Sequence, residues 1–100
     1  MLNIEKAFDG SKLRVTLDGR LDTLSSPNLE RELESVIHDV TELVFDLEKL
    51  QYLSSAGLRV LLDAAQIMEE QGEMKVVNVS DSVMSIFSVT GFDEILTIER

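Results

Sequence analysis

One hundred residues, 44% hydrophobic and 28% charged, suffice for one core, and the absence of cysteine excludes disulfides, thiolate metal sites and a cysteine nucleophile. Nine Lys and Arg against 19 Asp and Glu give a net charge of −10, which disfavours nucleic acid and anionic membrane surfaces and favours a basic partner. No apolar run approaches the roughly 20 residues that span a bilayer, and MLNIEKAF has no signal-peptide pattern, so the expectation is one soluble, cytoplasmic domain over residues 1–100.

Leu2 to Phe8 and Lys12 to Asp18 alternate apolar and polar residues, as half-buried strands do. Between them Asp9-Gly10 signals a tight hairpin, and with those two residues as the loop Ile4 faces Val15 and Leu2 faces Leu17. Asn28 to His38 carries Leu29, Leu33, Val36 and Ile37 at helical spacing, with Ser26 as N-cap and Pro27 at the first helical position. LVFDL, Leu43 to Leu47, is the continuous apolar run of a central strand covered on both faces. Leu58 to Gln71 then spaces Leu58, Leu61, Leu62, Ala65 and Met68 along a heavily buried helix that ends near Gly72. A strand over Met74 to Val79, a helix over Ser82 to Thr90 closed by Gly91, and an edge strand over Glu94 to Glu99 complete the chain. The order β β α β α β α β predicts an α/β fold, a mixed sheet with parallel inner strands and helices packed against it.

Enzyme chemistry finds little support in these residues. The one histidine, His38, falls at a predicted helix end, where an imidazole is solvated or meets the helix dipole. No Gly-rich phosphate loop is present, and Asp22 and Asp46, the carboxylates that could pair, have no nucleophile and base beside them. No catalytic residue, cofactor or metal is expected. What stands out is LQYLSSAGLRVLL, Leu50 to Leu62, where Ser54 and Ser55 sit side by side at a strand-to-helix junction. Either hydroxyl can cap the helix, and Gly57 in its first turn implies a need for bare backbone, close approach by a partner being one such need. The free N–H groups of that turn also suit a phosphoryl group on a serine.

With LDGRLDTLSSPNLEREL (Leu17 to Leu33), the strand bearing Asp46, YLSSAGLRVLL (Tyr52 to Leu62) and the closing VMSIFSVTGFDEIL, nearly the whole chain resembles a STAS domain of the kind found in bacterial anti-sigma factor antagonists. The resemblance implies a single STAS-like domain that binds an anti-sigma factor of the serine-kinase type. It implies that the kinase phosphorylates the serine two places before the helix-opening glycine, here Ser55, and that a phosphoserine phosphatase resets it. The family pattern Asp-Ser-Ser-Gly reads Ser54-Ser55-Ala56-Gly57 here, which makes Ser54 an alternative acceptor and, by position, the better ordinary cap. Asp22 and Asp46 are implied to lie near the acceptor, and the partner surface to comprise Gly19, Asp22, Thr23, Asp46, Ser54, Ser55, Ala56, Gly57, Leu58 and Arg59. The alternative is an unswitched STAS adaptor in a transporter, lipid-transport or stress-signalling complex, in which Ser55 only caps the helix. Intrinsic nucleotide hydrolysis is a third possibility without a motif behind it.

Overall fold

A computed structural model describes residues 2–100. β1 (Leu2–Asp9) and β2 (Lys12–Leu21) form the expected hairpin and are followed by α1 (Ser26–Glu34) and β3 (Glu42–Leu53). α2 (Ser55–Gln71), β4 (Glu73–Val77), α3 (Asp81–Thr90) and β5 (Ile98–Glu99) complete an α/β domain. The sheet order is β1-β2-β3-β4-β5, with β1 antiparallel to β2 and every other pair parallel. Among the described residues no helix is long and apolar enough to cross a membrane.

The hairpin register differs from expectation by two residues. Ile4 pairs with Leu17 and Leu2 with Gly19, because the loop is Gly10-Ser11 and Asp9 still pairs with Lys12. Gly10 has φ +62° and Ser11 does not have positive φ, the pattern of a turn with glycine at its first central position. A two-residue slip preserves the side-chain period, so the apolar faces still coincide.

Leu13, Val15 and Leu17 of β2, Leu43 and Phe45 of β3 and Val76 of β4 are buried on one face of the sheet. α1 and α2 pack together, and Leu29 and Leu33 of α1 join Leu58, Leu61, Ala64 and Met68 of α2 in the same core. Val44, unlike its neighbours, is half-buried, so the apolar run in β3 is not covered on both faces. The opposite face carries Arg14, Thr16, Asp46 and Lys75.

α1 is shorter than its periodicity suggests, and its N-cap is Ser25 instead of Ser26. After Glu34 the chain passes into a 3₁₀ turn, Ile37–Asp39, so Ile37 is buried without prolonging the helix and His38 is exposed. The last strand is also shorter, because a 3₁₀ turn at Phe92–Glu94 occupies its expected start. α3 ends as predicted on Gly91 in the left-handed region. At the end of α2, Gly72 is extended (φ 168°) and serves another purpose: a Cβ there would lie 1.9 Å from Thr41 O.

β3 is the longest strand and outruns β4, whose final residue Val77 pairs with Asp46. Beyond Asp46 it pairs only with β2, which advances from Thr16 to Asp18 while β3 advances from Asp46 to Lys49, and from Gly19 to Arg20 while β3 advances from Leu50 to Tyr52. Each extra residue in β3 is a bulge. The two strands end together at Leu21 and Leu53, so the β2–α1 and β3–α2 junctions lie side by side.

Candidate functional site

The site is built where β2 and β3 stop. Ser54 N–H donates to Leu21 O at 2.9 Å, which ties the start of α2 to the end of β2. Ser54 is extended (φ −87°, ψ 173°), and its Oγ accepts from Gly57 N–H at 3.3 Å, so Ser54 is the N-cap of α2. Ser55, the first helical residue, is exposed, and its hydroxyl has no hydrogen-bond partner among the described residues. Side by side, the two serines are thus held differently: one hydroxyl is committed to the fold and its neighbour faces solvent.

Gly57 meets its need for bare backbone inside the molecule. A Cβ at that position would stand 2.7 Å from Leu21 Cγ, 2.8 Å from Leu53 Cδ1 and 2.9 Å from Leu21 O. The close approach is made by the ends of β2 and β3, which accounts for the bare backbone within the fold. Leu58 is buried as well, so neither residue presents a side chain outward; Ala56 is half-buried and Arg59 exposed.

The loop after β2 is pinned by Asp22. Its Oδ1 accepts from Leu24 N–H at 3.1 Å and Ser25 N–H at 3.0 Å. Ser25 Oγ accepts from Asp22 N–H at 2.9 Å and directs its own proton toward Arg20 O at 2.7 Å or Asp22 Oδ1 at 3.1 Å. Ser26 N–H and Oγ both donate to Asp22 O. These bonds explain why the N-cap falls on Ser25: both hydroxyls are drawn back into the loop, and neither caps the helix with its side chain. The Ser25 N–H, opposed by desolvation and assisted by the Ser25 hydroxyl and the Leu24 N–H, holds the Asp22 carboxyl below the usual carboxylate range.

Among the implied site residues, Asp22, Thr23, Ser54, Ser55, Ala56, Gly57, Leu58 and Arg59 belong to the two adjoining junctions. Gly19 lies close by on β2, opposite the second β3 bulge, with φ +114°. Asp46 stands apart, seven residues back along β3 from Leu53, on the sheet face that carries Arg14. Its Oδ2 accepts from Arg14 Nη2 at 2.7 Å, and its Oδ1 from Asn78 Nδ2 at 3.2 Å and Glu48 N–H at 3.1 Å. Burial raises its pKa, but the Glu48 N–H, Arg14 and Asn78 outweigh burial and hold the carboxyl below its usual range. Asp22 and Asp46 form no carboxylate pair, since each is held by a different set of partners.

Three features at this end of the molecule escaped the sequence reading. Leu24 is 88% exposed, an apolar side chain projecting from the Asp22 loop; an apolar residue flanked by Thr23 and Ser25 in a turn was the available signal. The Arg20 guanidinium lies 4.4 Å from the Tyr52 ring centroid and 4.0 Å from Asp22 Oδ2. Arg59 pairs with Asp63 at 3.6 Å along the exposed side of α2. Cross-strand register creates the Arg20–Tyr52 contact, and a single strand carries no sign of it.

The family model for the STAS domain matches residues 3–100. A Bordetella bronchiseptica relative, BtrV, assigned as an anti-sigma factor antagonist, is 36% identical over 84 residues, covering 82% of this chain and 72% of its own. The crystal structure of an anti-sigma factor antagonist from Mycobacterium paratuberculosis superposes with a TM-score of 0.90 at 22% identity, covering 99% of this chain and 86% of that one. The Bacillus cell fate determinant SpoIIAA in its phosphorylated form gives a TM-score of 0.75 at 19% identity, over 98% of this chain and 90% of its own.

Proposed function

The chain belongs to the STAS domain family, and from that premise we propose that it is an anti-sigma factor antagonist switched off by phosphorylation of Ser55. Unphosphorylated, it docks on an anti-sigma factor of the serine-kinase type and thereby frees the sigma factor. It is a binding module and a kinase substrate, acting in the cytoplasm where transcription is controlled. The observation that carries this reading is the contrast between the serines: Ser54 caps α2, whereas Ser55 is exposed with an uncommitted hydroxyl at a position where the first-turn N–H groups can receive a phosphoryl group. SpoIIAA, whose structure is solved in a phosphorylated form, supports the same assignment.

The docking surface is formed by Thr23 and Leu24 of the β2–α1 loop, with Ser55 and Arg59 of α2. Leu24 supplies apolar area and the loop is held rigid by Asp22, so little order has to be imposed on binding. Phosphorylation adds about −1.5 to −2 charges at Ser55, in a chain whose net charge is already −10. A partner surface matched to a neutral hydroxyl then meets a misplaced dianion, and each ~1.4 kcal/mol of mismatch lowers affinity tenfold. A phosphoserine phosphatase restores binding.

Incubation with a kinase-type anti-sigma factor and ATP, followed by intact-mass measurement and site mapping, tests the switch. One phosphate on Ser55, its absence in Ser55→Ala and loss of the complex on modification are the expected results. An unmodified wild type, together with normal partner binding by Ser55→Asp, refutes the switch and leaves the STAS adaptor reading in its place.

A further inference from the structure

Arg59 follows Ser55 by four positions on α2, so the two side chains are neighbours on one exposed strip of the helix. In the unmodified protein Arg59 turns the other way along that strip, to Asp63, with Nε and Oδ1 3.6 Å apart and side-chain exposures of 76% and 45%. That pair has its base before its acid, the weaker of the two i,i+4 orientations, because the acid then lies farther from the positive end of the helix dipole. A phosphoserine at 55 offers the reverse order, acid before base, at the first position of the helix. It also presents more charge than a carboxylate and three oxygens to a guanidinium fork. Arg20, a further cation at this end of the molecule, is occupied by the Tyr52 ring and Asp22.

We infer that Arg59 is the receiving group for the phosphate: on modification of Ser55 it leaves Asp63 and pairs with phosphoserine 55. The inference rests on the reading of Ser55 as the phosphoacceptor and adds a second consequence to it. Phosphorylation places an anion on the docking surface and also withdraws the guanidinium that an acidic group of the partner would meet, while Asp63 is left bare. The switch therefore changes two charges of the surface by one covalent event.

The test uses the full chain with phosphoserine installed at position 55 during translation, so that no kinase is needed, and follows the phosphate by ³¹P NMR titration. With Arg59 engaged, the second phosphate pKa is expected to be about 0.15–0.4 unit lower than in Arg59→Gln, with Arg59→Lys in between. Asp63→Asn should lower it further in the Arg59 background and leave it unchanged in Arg59→Gln, because Asp63 acts only by competing for Arg59. Circular dichroism of each variant establishes that α2 is intact. Equal titration of wild type and Arg59→Gln, or an equal effect of Asp63→Asn in both backgrounds, overturns the inference. An unmodified wild type together with normal partner binding by Ser55→Asp refutes the proposed switch but does not alter this measurement, so the two failures are distinguishable.

Discussion

Gly57→Ala sets two opposing effects against each other at one atom. In a free helix the substitution would stabilise by up to ~1 kcal/mol, because alanine propagates a helix better than glycine. Here the new Cβ meets Leu21 Cγ at 2.7 Å, Leu53 Cδ1 at 2.8 Å and Leu21 O at 2.9 Å, whereas ordinary contact begins at 3.4 Å. Leu21 and Leu53 are buried at 0% and 2% exposure, so neither side chain has space to rotate away. Leu21 O is backbone and is already bonded to Ser54 N–H, so the start of α2 must shift by about half an ångström from β2 and strain that bond. Overpacking of this kind costs about 1–3 kcal/mol, which exceeds the propensity gain. The expected net loss is about 1–2 kcal/mol, or a melting temperature lower by roughly 5–15 °C for a domain of this size, measured by urea and thermal unfolding followed by circular dichroism. A Gly57→Ala variant as stable as wild type, or more stable, refutes the argument that Gly57 is required by the junction between α2 and β2.

The structure also sets expected outcomes for variants at four other positions. Ser54→Ala should lose about 0.5–2 kcal/mol and Ser54→Asp most of that loss should recover, whereas Ser55→Ala, lacking an intramolecular bond to break, should stay within about 0.5 kcal/mol of wild type by urea unfolding. Leu24→Ser should leave stability within about 0.5 kcal/mol but weaken the complex with the anti-sigma factor about tenfold by calorimetry, as removal of an exposed anchor does. Asp46→Asn should destabilise at neutral pH by an amount moderated by the exposure of Arg14. Because the fold lowers the Asp46 pKa, its contribution is complete above the unfolded value of about 3.9 and is lost as pH falls through the folded value, so the gap between Asp46→Asn and wild type should close on acidification, read from urea midpoints against pH.

Much of the fold was legible in periodicity and punctuation. The alternation in residues 2–18 and the spacing from Leu58 to Met68 each report a local preference, and both the hairpin and α2 are present, with the turn one residue later than the Asp9-Gly10 signal, at Gly10-Ser11. The errors fall where distant groups compete for a local signal. Ser26 reads as a cap for the helix that follows it, but Asp22 captures both serine hydroxyls, and the cap moves to Ser25. Ile37 has helical spacing and is buried, yet it reaches the core from a 3₁₀ turn. The candidate site was legible at Ser54, Ser55 and Asp22 and illegible at Leu24, Arg20 and Tyr52, whose exposure and contact depend on how the strands are joined.

Local chemistry by itself determined that residues 54 and 55 begin a helix, that one of two adjacent hydroxyls caps it, and that the hairpin faces match, since capping and the period of two are properties of a few consecutive residues. Tertiary structure alone decided that Gly57 serves the contact with Leu21, that Asp46 belongs with Arg14 and Asn78 and not with Asp22, and that Leu24 stands in solvent beside the capped helix. The contact of Gly57 with Leu21 depends on two bulges in β3 that set where β2 and β3 end together, and strand register is a property of two chains of residues held at a distance, which neither carries alone.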